Sequence, residues 1–244
     1  MKRNYAVVLA GGNGSRMGTD IPKQFLEIGG YPLLYYSLRA FQECDFIDGI
    51  ILVSRREDMG CCRENIIDRY GFSKVEAVEA GGSQRFESVY NGLGAVKTDG
   101  YVFVHDAARP CIDSGLLTRL YGDVLEHGAS VAAVPSKDTV KISDAGGFVS
   151  YTPDRRNTWI IQTPQAFETA ELKAAYGAML EARGTEGVTD DAAVMERYGD
   201  RKVHLCEASY FNIKVTTPED IILAESFLRG MKQTEKITWV RSER

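Results

Sequence analysis

Tyr5-Ala6-Val7-Val8-Leu9-Ala10-Gly11-Gly12-Asn13-Gly14-Ser15-Arg16 joins a short apolar run to a glycine-rich loop. A strand covered by helices on both faces reads as such a run, because neither face meets water. Further short runs rich in Val and Ile stand at Gly49 to Ser54, Val75 to Ala80, Tyr101 to Asp106 and Ala129 to Pro135. Between them, Leu33 to Gln42, Phe86 to Ala95 and Leu116 to His127 place apolar residues at i, i+3 and i+4, the stripe a helix lays on a sheet. This alternation predicts an α/β fold, a doubly wound, mostly parallel, Rossmann-like sheet. Ligands of such sheets bind beyond the carboxyl ends of the strands, where the strand order reverses, so functional residues are expected just after strands.

From Ser136 to Arg156 the alternation stops, and polar residues surround Asp144-Ala145-Gly146-Gly147, the composition of a hairpin turn. A projecting β-arm is expected there. A two-stranded hairpin is marginal alone in water, so the arm should pack on something, most simply a second copy of the chain. Helices are expected over Thr169 to Arg183 and Asp190 to Tyr198, and strands over Val203 to Glu207 and Phe211 to Val215. Pro218, favourable at a first helical position, should open a last helix. This makes one domain over 1–231, with the arm at about 136–156 and a charged, frayed tail at 232–244.

The chain has 244 residues, enough for one full core, and its 44% hydrophobic and 26% charged content is that of a soluble globular domain. Lys+Arg 29 against Asp+Glu 34 leaves a net charge of −5, so no global basic field exists to hold a nucleic-acid backbone. Any phosphate must be caught locally. No apolar run approaches the roughly 18 residues of a membrane span, and Met1-Lys2-Arg3-Asn4 opens no leader-like pattern, which predicts a cytoplasmic protein without membrane partners. Cys44, Cys61, Cys62, Cys111 and Cys206 suit neither a disulfide framework nor a zinc site, being odd in number with two adjacent.

Glycines let the loop after the first strand curl tightly and turn its N–H groups toward phosphate oxygens, while Arg16 and Lys23 supply charge. No Gly-Lys-Ser/Thr closes it, so it is not a Walker A loop, and the alternative is a tight turn without ligand. Asp106, at the end of the fourth strand, suits Mg²⁺, which takes oxygen ligands from one or two carboxylates plus substrate phosphates; alternatively Asp106 caps its turn and pairs with Arg109. His105 reads as a packed strand residue, and His127 and His204 as peripheral. Gly82 and Ser88 flank a helix start, where Ser88 and its neighbours could bond a base or ribose, or cap the helix. Thr189 is a site residue or an ordinary N-cap. Lys214, set between apolar neighbours, needs an anion close by, or is a solvated residue of an edge strand. With no Ser/His/Asp set, nucleophilic Cys or acid/base pair, such residues do chemistry by charge stabilisation and alignment, as phosphoryl and nucleotidyl transfer require.

AGGNGSRM followed by PKQF resembles the signature of sugar-nucleotide-type nucleotidyltransferases. With VHDAARPC, KDTVK, DRRNTWIIQTPQAF, VTDDAAVME and FNIKVTTPEDI, in that order from Tyr5 to about Phe227, the chain resembles the 2-C-methyl-D-erythritol 4-phosphate cytidylyltransferase family. The resemblance implies joining of CTP to a sugar-alcohol phosphate. Ala10, Gly11, Gly12 and Gly14 would wrap the triphosphate, Arg16 and Lys23 would stabilise charge at the α-phosphate, and Gly82 and Ser88 would hold cytosine and ribose. Asp106 would lie near Mg²⁺ and the acceptor, Lys214 at the reacting phosphates, and Arg109, Thr139, Arg155, Thr163 and Thr189 around the acceptor phosphate. It also implies a homodimer of interlocked arms, in which Thr139 and Arg155 serve the partner's site. Ser15, Ser83 and Ile142 depart from the family pattern. Ribitol-5-phosphate cytidylyltransferases share the scaffold but usually carry Ser-Val in place of Ala107-Ala108 and lack the DRRNTW return. A non-catalytic nucleotide-binding regulator is a second alternative; it would not need Arg16, Lys23, Asp106 and Lys214 together.

Overall fold

β1 (Tyr5–Ala10) runs through the middle of the sheet, and its side chains face two cores in alternation: Ala6, Val8 and Ala10 one, Tyr5 and Val7 the other. That is the period-2 rule for a strand with helices on both sides. The computed structural model describes residues 2–12 and 21–242, with residues 232–242 described by backbone alone.

After β1 come a small hairpin, β2 (Glu27–Ile28) and β3 (Tyr31–Pro32), then α1 (Leu33–Gln42) and β4 (Gly49–Ser54). α2 (Met59–Cys62) runs on as a π-helical segment over Arg63–Asp68, before β5 (Val75–Ala80), α3 (Arg85–Ala95), β6 (Tyr101–Asp106), α4 (Ser114–His127) and β7 (Ala129–Pro135). The arm is β8 (Ile142–Ser143) and β9 (Val149–Tyr151), and the chain closes with β10 (Trp159–Glu168), α5 (Thr169–Glu181), α6 (Asp191–Tyr198), β11 (His204–Glu207) and α7 (Pro218–Ser242).

Among the described residues seven strands form the sheet in the order β11-β7-β10-β6-β1-β4-β5. All pairs are parallel except those of β10, which runs against both β6 and β7. β4 and β5 lie on one side of β1 and β6 on the other, so the order reverses between β1 and β6, and the loops leaving these strands open a crevice. α1 and α4 cover one face, α3, α5 and α6 the other. Leu38 and Leu117 are fully buried there, and truncating either to Ala should cost about 2–5 kcal/mol. α4 is capped by Asp113, which accepts from Leu116 N at 2.7 Å, and ends on Gly128 at φ 79°, a left-handed cap that favours glycine. No helix among the described residues is long and apolar enough to cross a membrane.

The arm forms as expected, with Asp144 Oδ1 accepting from Gly146 N and Phe148 N to close its turn. Four expectations need correction. β10 was not expected, since Pro164 argues against a central strand. Phe211 to Val215 is not a strand: Ile213 N donates to Phe211 O and Val215 N to Ala108 O, so the segment crosses over the strand ends. α5 stops at Glu181, and Arg183 takes a positive φ of 52°. α7 continues to Ser242, through most of the expected tail, since no Gly or Pro follows Gly230 to stop it.

Candidate active site

A cavity of 470 Å³ opens at the point where the strand order reverses. Ala10, Gly11 and Gly12 line it from the end of β1, Lys23 from a 3-10 turn, Gly82 and Ser88 from the start of α3, Asp106 from the end of β6, and Lys214 from the crossing segment. A Cβ on Gly12 would lie 3.3 Å from Lys23 Cε, so the loop backbone and the lysine stem pass in contact. The ammonium group donates to Val215 O at 3.4 Å. At α3 the cap is Gln84, whose side chain and that of Glu87 form a reciprocal capping box. Ser88 Oγ accepts from Gly82 N at 3.1 Å and donates to Gln84 O at 3.3 Å, closing the turn. Ser83 donates to Glu87 Oε2 at 2.7 Å.

Asp106 is the one carboxylate among the described residues lining this cavity. Its Oδ2 accepts from Lys214 Nζ at 2.6 Å and its Oδ1 from Arg85 Nε at 3.2 Å. Burial pushes the Asp106 carboxyl up, but Arg85 and Lys214 outweigh it and hold the group well below the usual carboxylate range. Arg85 also donates to Asp191 Oδ2 at 2.7 Å, and Tyr176 OH to Asp191 Oδ1 at 2.6 Å. Burial would lower the Arg85 pKa, yet Asp191 and Asp106 together raise it well above its ordinary value. The alternative reading of Asp106, a side-chain pair with Arg109, is not what forms: Arg109 Nη1 donates to Asn212 O at 2.8 Å.

His105 is fully buried on β6, as its apolar setting predicts. Its Nε2 lies 3.1 Å from Arg109 O, which can only accept, so Nε2 carries the proton. Nδ1 therefore accepts from Thr163 Oγ1 at 3.1 Å, and that hydroxyl accepts from Asp106 N at 3.1 Å. Burial lowers the His105 pKa to about 4, keeping the ring neutral. Thr163 reaches Asp106 because the pairing of β10 with β7 shifts register between Ile161 and Gln165, and such irregularities re-aim side chains.

A second cavity, of 540 Å³, lies across β10. It shares Arg85, Asp106 and Lys214 with the first and adds Arg109, Thr163 and Thr189. The Arg109 Nε is buried with no partner among the described residues. Thr189 is exposed and is not the cap of α6; Asp190 is, accepting from Ala193 N at 3.0 Å. Gln165 ties this helix to β10, its Oε1 accepting from Asp191 N at 3.1 Å and Ala192 N at 2.9 Å.

Of the residues expected at a site, Ala10, Gly11, Gly12, Lys23, Gly82, Ser88, Asp106, Arg109, Thr163, Thr189 and Lys214 are brought together around these cavities. Thr139 and Arg155 are exposed, on the arm and at its return, and line neither cavity. Gly14 and Arg16 lie outside the described residues. Sequence reading gave no role to Arg85, Asp191 or Tyr176. One signal was present: a cation in the first turn of a helix opposes the helix dipole, so Arg85 needs carboxylates nearby.

The family model for 2-C-methyl-D-erythritol 4-phosphate cytidylyltransferase matches residues 5–230. A cytidylyltransferase of that description from Lachnospira eligens is 46% identical over 227 residues, 93% of this chain and 100% of that protein. The crystal structure of 4-diphosphocytidyl-2C-methyl-D-erythritol synthase from Anaerococcus prevotii superposes with a TM-score of 0.80 at 33% identity, covering 93% of this chain and 99% of that one. The corresponding cytidylyltransferase of Francisella tularensis gives a TM-score of 0.78 at 31% identity, covering 93% and 100%.

Proposed function

The chain belongs to the 2-C-methyl-D-erythritol 4-phosphate cytidylyltransferase family, and from that membership we propose that it joins CTP to 2-C-methyl-D-erythritol 4-phosphate. The products are 4-diphosphocytidyl-2-C-methyl-D-erythritol and pyrophosphate, a step of non-mevalonate isoprenoid synthesis. One observation carries the reading: two cavities, of 470 and 540 Å³, meet at the same Asp106–Lys214–Arg85 cluster, as a site that joins two substrates requires.

In this mechanism CTP takes the cavity against Gly11 and Gly12, and the acceptor phosphate takes the one beside Arg109. A phosphate oxygen of the acceptor attacks the α-phosphorus in line, forming a new P–O bond, while the bond to the bridging oxygen of the β-phosphate breaks and pyrophosphate departs with its electrons. No general base is needed, because the second pKa of a phosphate monoester is about 6 and the nucleophile is already ionised at neutral pH. The obstacle is repulsion between two anions. Lys214, 2.6 Å from Asp106, stands where the cavities meet and offers its charge to both. Lys23 and, by family resemblance, Arg16 neutralise charge on the triphosphate; the Arg109 guanidinium, whose Nε has no partner among the described residues, suits the acceptor phosphate. Gly82 and Ser88 stand at the cytosine and ribose end.

The residues present fit a Mg²⁺ ion. Asp106 is fully ionised, and one carboxylate plus phosphate oxygens is a common way for proteins to hold this cation. When bound it would supply charge neutralisation at the phosphates.

The working unit we propose is a homodimer joined through the arms, with Thr139 and Arg155 reaching the partner's acceptor cavity. Phe148, Val149 and Tyr151 support this, being 76%, 59% and 58% exposed on a hairpin too small to stand alone. Five free cysteines suit the reducing cytoplasm.

Pyrophosphate release from CTP and Mg²⁺ tests the reading. Turnover with methylerythritol 4-phosphate and not with ribitol 5-phosphate is expected. Turnover with ribitol phosphate alone would move the chain to the other substrate, and activity with neither would favour a non-catalytic nucleotide-binding role. Phe148→Ser should shift the protein from dimer to monomer in sedimentation; an unchanged dimer would refute the arm interface.

A further inference from the structure

Asp123 and His127 stand one turn apart on α4, at i and i+4, so both side chains project from the same helix face. His204, the first residue of the edge strand β11, reaches them from the neighbouring element. Its Nδ1 lies 2.9 Å from Asp123 Oδ2, and its ring lies 4.1 Å from that of His127, centroid to centroid, with planes 33° apart. One ligand atom from each of the three falls within 4.8 Å of the others. The place is the C-terminal end of α4 and the start of β11, where His204 pairs with Ser130 at the foot of β7. His204 faces α4, away from its neighbours Val203 and Leu205, which line the second cavity.

We propose that Asp123, His127 and His204 bind a divalent transition-metal ion of the zinc class. Two imidazoles and one carboxylate are an intermediate ligand set that zinc, cobalt and nickel accept and Mg²⁺ does not favour. A tetrahedral ion with ligand atoms about 2.1 Å away separates them by about 3.4 Å. The present spread, from 2.9 Å to 4.8 Å at most, brackets that distance, so rotations of partly exposed side chains bring all three into place. The carboxylate is already oriented: Ser130 Oγ donates to Asp123 Oδ2 at 3.2 Å. Outer contacts of this kind fix metal ligands. Three protein ligands would leave the fourth position of a tetrahedral ion to water. A bound ion would fasten the edge strand to α4, a place where the sheet has no further strand to hold it.

Calorimetric titration of the full chain with ZnCl₂, in buffer already saturated with Mg²⁺, tests this. One equivalent of zinc is expected, with binding weakened at least about tenfold in both H127Q and H204Q, and a zinc-dependent rise in Tm that the variants lose. X-ray absorption at the zinc edge of the wild type should show imidazole nitrogens among the ligands, a reading independent of how the variants fold. Absence of a binding event, zinc affinity unchanged in both variants, or a zinc spectrum without imidazole would each overturn the proposal.

Discussion

Arg85→Met removes the charge that joins Asp106 to Asp191 while keeping a stem of similar length. Asp191 is wholly inaccessible and would retain Tyr176 and the N-terminus of α6; Asp106 would retain Lys214. Removing one partner of a buried ion pair costs about 3–5 kcal/mol, because the remaining charge stays buried without compensation. About 26% of the Arg85 side chain is accessible, and both carboxylates keep another partner, so the cost belongs at the lower end, about 3 kcal/mol. For a chain of 244 residues, each kcal/mol lowers Tm by about 2–4 °C, so the melt should fall by about 6–12 °C at pH 7.5. Arg229→Ala is the control. It breaks an i, i+4 pair with Glu225 whose arginine is 73% exposed, and such pairs contribute under about 0.5 kcal/mol. Differential scanning calorimetry of both variants decides the matter. If Arg85→Met melts within about 2 °C of wild type, as the control should, the Asp106–Arg85–Asp191 bridge is an ordinary screened pair and not the frame that holds Asp106.

His105 titrates near pH 4 when folded and about 6.5 when unfolded, so the unfolded chain binds the extra proton between those values. The stability linked to it is complete above about pH 6.5 and falls on acidification, by about 2 kcal/mol at pH 5, as urea unfolding at pH 5 and pH 8 should show. Asp106, held below its ordinary value, adds nothing to that window, because its contribution persists until the pH drops below the usual carboxylate range. A His105→Asn variant that keeps the full loss would exclude His105 as its source. Lys23→Ala should lower kcat about a hundredfold, about 3 kcal/mol of transition-state stabilisation, with little change in KM; a rise in KM alone would make Lys23 a uniform binder. Gly82→Ala would drive a Cβ into Glu87 Cβ, an atom fixed to the helix backbone, so the capping turn must open and CTP affinity should drop at least about tenfold; unchanged affinity by equilibrium dialysis would remove this turn from the nucleotide site.

The parallel strands were legible because each is an apolar run bounded by turn residues, and the loops behind β1 and β6 were legible because ligand-binding residues gather at strand ends. β10 was not legible, and its chemistry explains why. Gln162, Thr163 and Gln165 are 6%, 4% and 1% exposed, yet they are polar and Pro164 stands among them. A polar, proline-bearing stretch disfavours a buried central strand, and only tertiary partners overcome that preference: Gln162 Oε1 accepts from Asn212, Thr163 bonds His105, and Gln165 accepts from the first N–H groups of α6. The opposite error at Phe211 to Val215 has the same root. Its alternation of apolar and polar residues imitates a strand, but Asn212 turns inward to donate to Gln162 Oε1 and Thr163 O, each at 2.9 Å, and so carries Lys214 across the strand ends rather than along an edge. Arg85 stayed hidden because its partners, Asp106 and Asp191, are distant in sequence and meet only when α3, β6 and α6 converge.

These two misread segments together make the site larger than a doubly wound sheet supplies by itself. A parallel sheet opens one crevice, where the strand order reverses, and here that crevice lies between β1 and β6. β10 enters the sheet in reverse, so its first residues, Trp159 to Ile161, pair with the last residues of β7 at the carboxyl end of the parallel strands. The arm that precedes it is thereby held at the same end as the crevice. The register shift that follows turns Thr163 toward Asp106, and the crossing segment is fastened onto that shift through Asn212. The outcome is a second cavity sharing a wall of three charged residues with the first. Two cations set on one carboxylate keep that wall rigid and net positive before substrates arrive, and two phosphates meeting there would find Lys214 already held in place. Rigid placement of charge is worth most where the reaction's barrier is repulsion and no proton needs to move. Reversal of one strand therefore builds the acceptor half of the site, and the buried Arg85 bridge holds its shared wall in register with the nucleotide half.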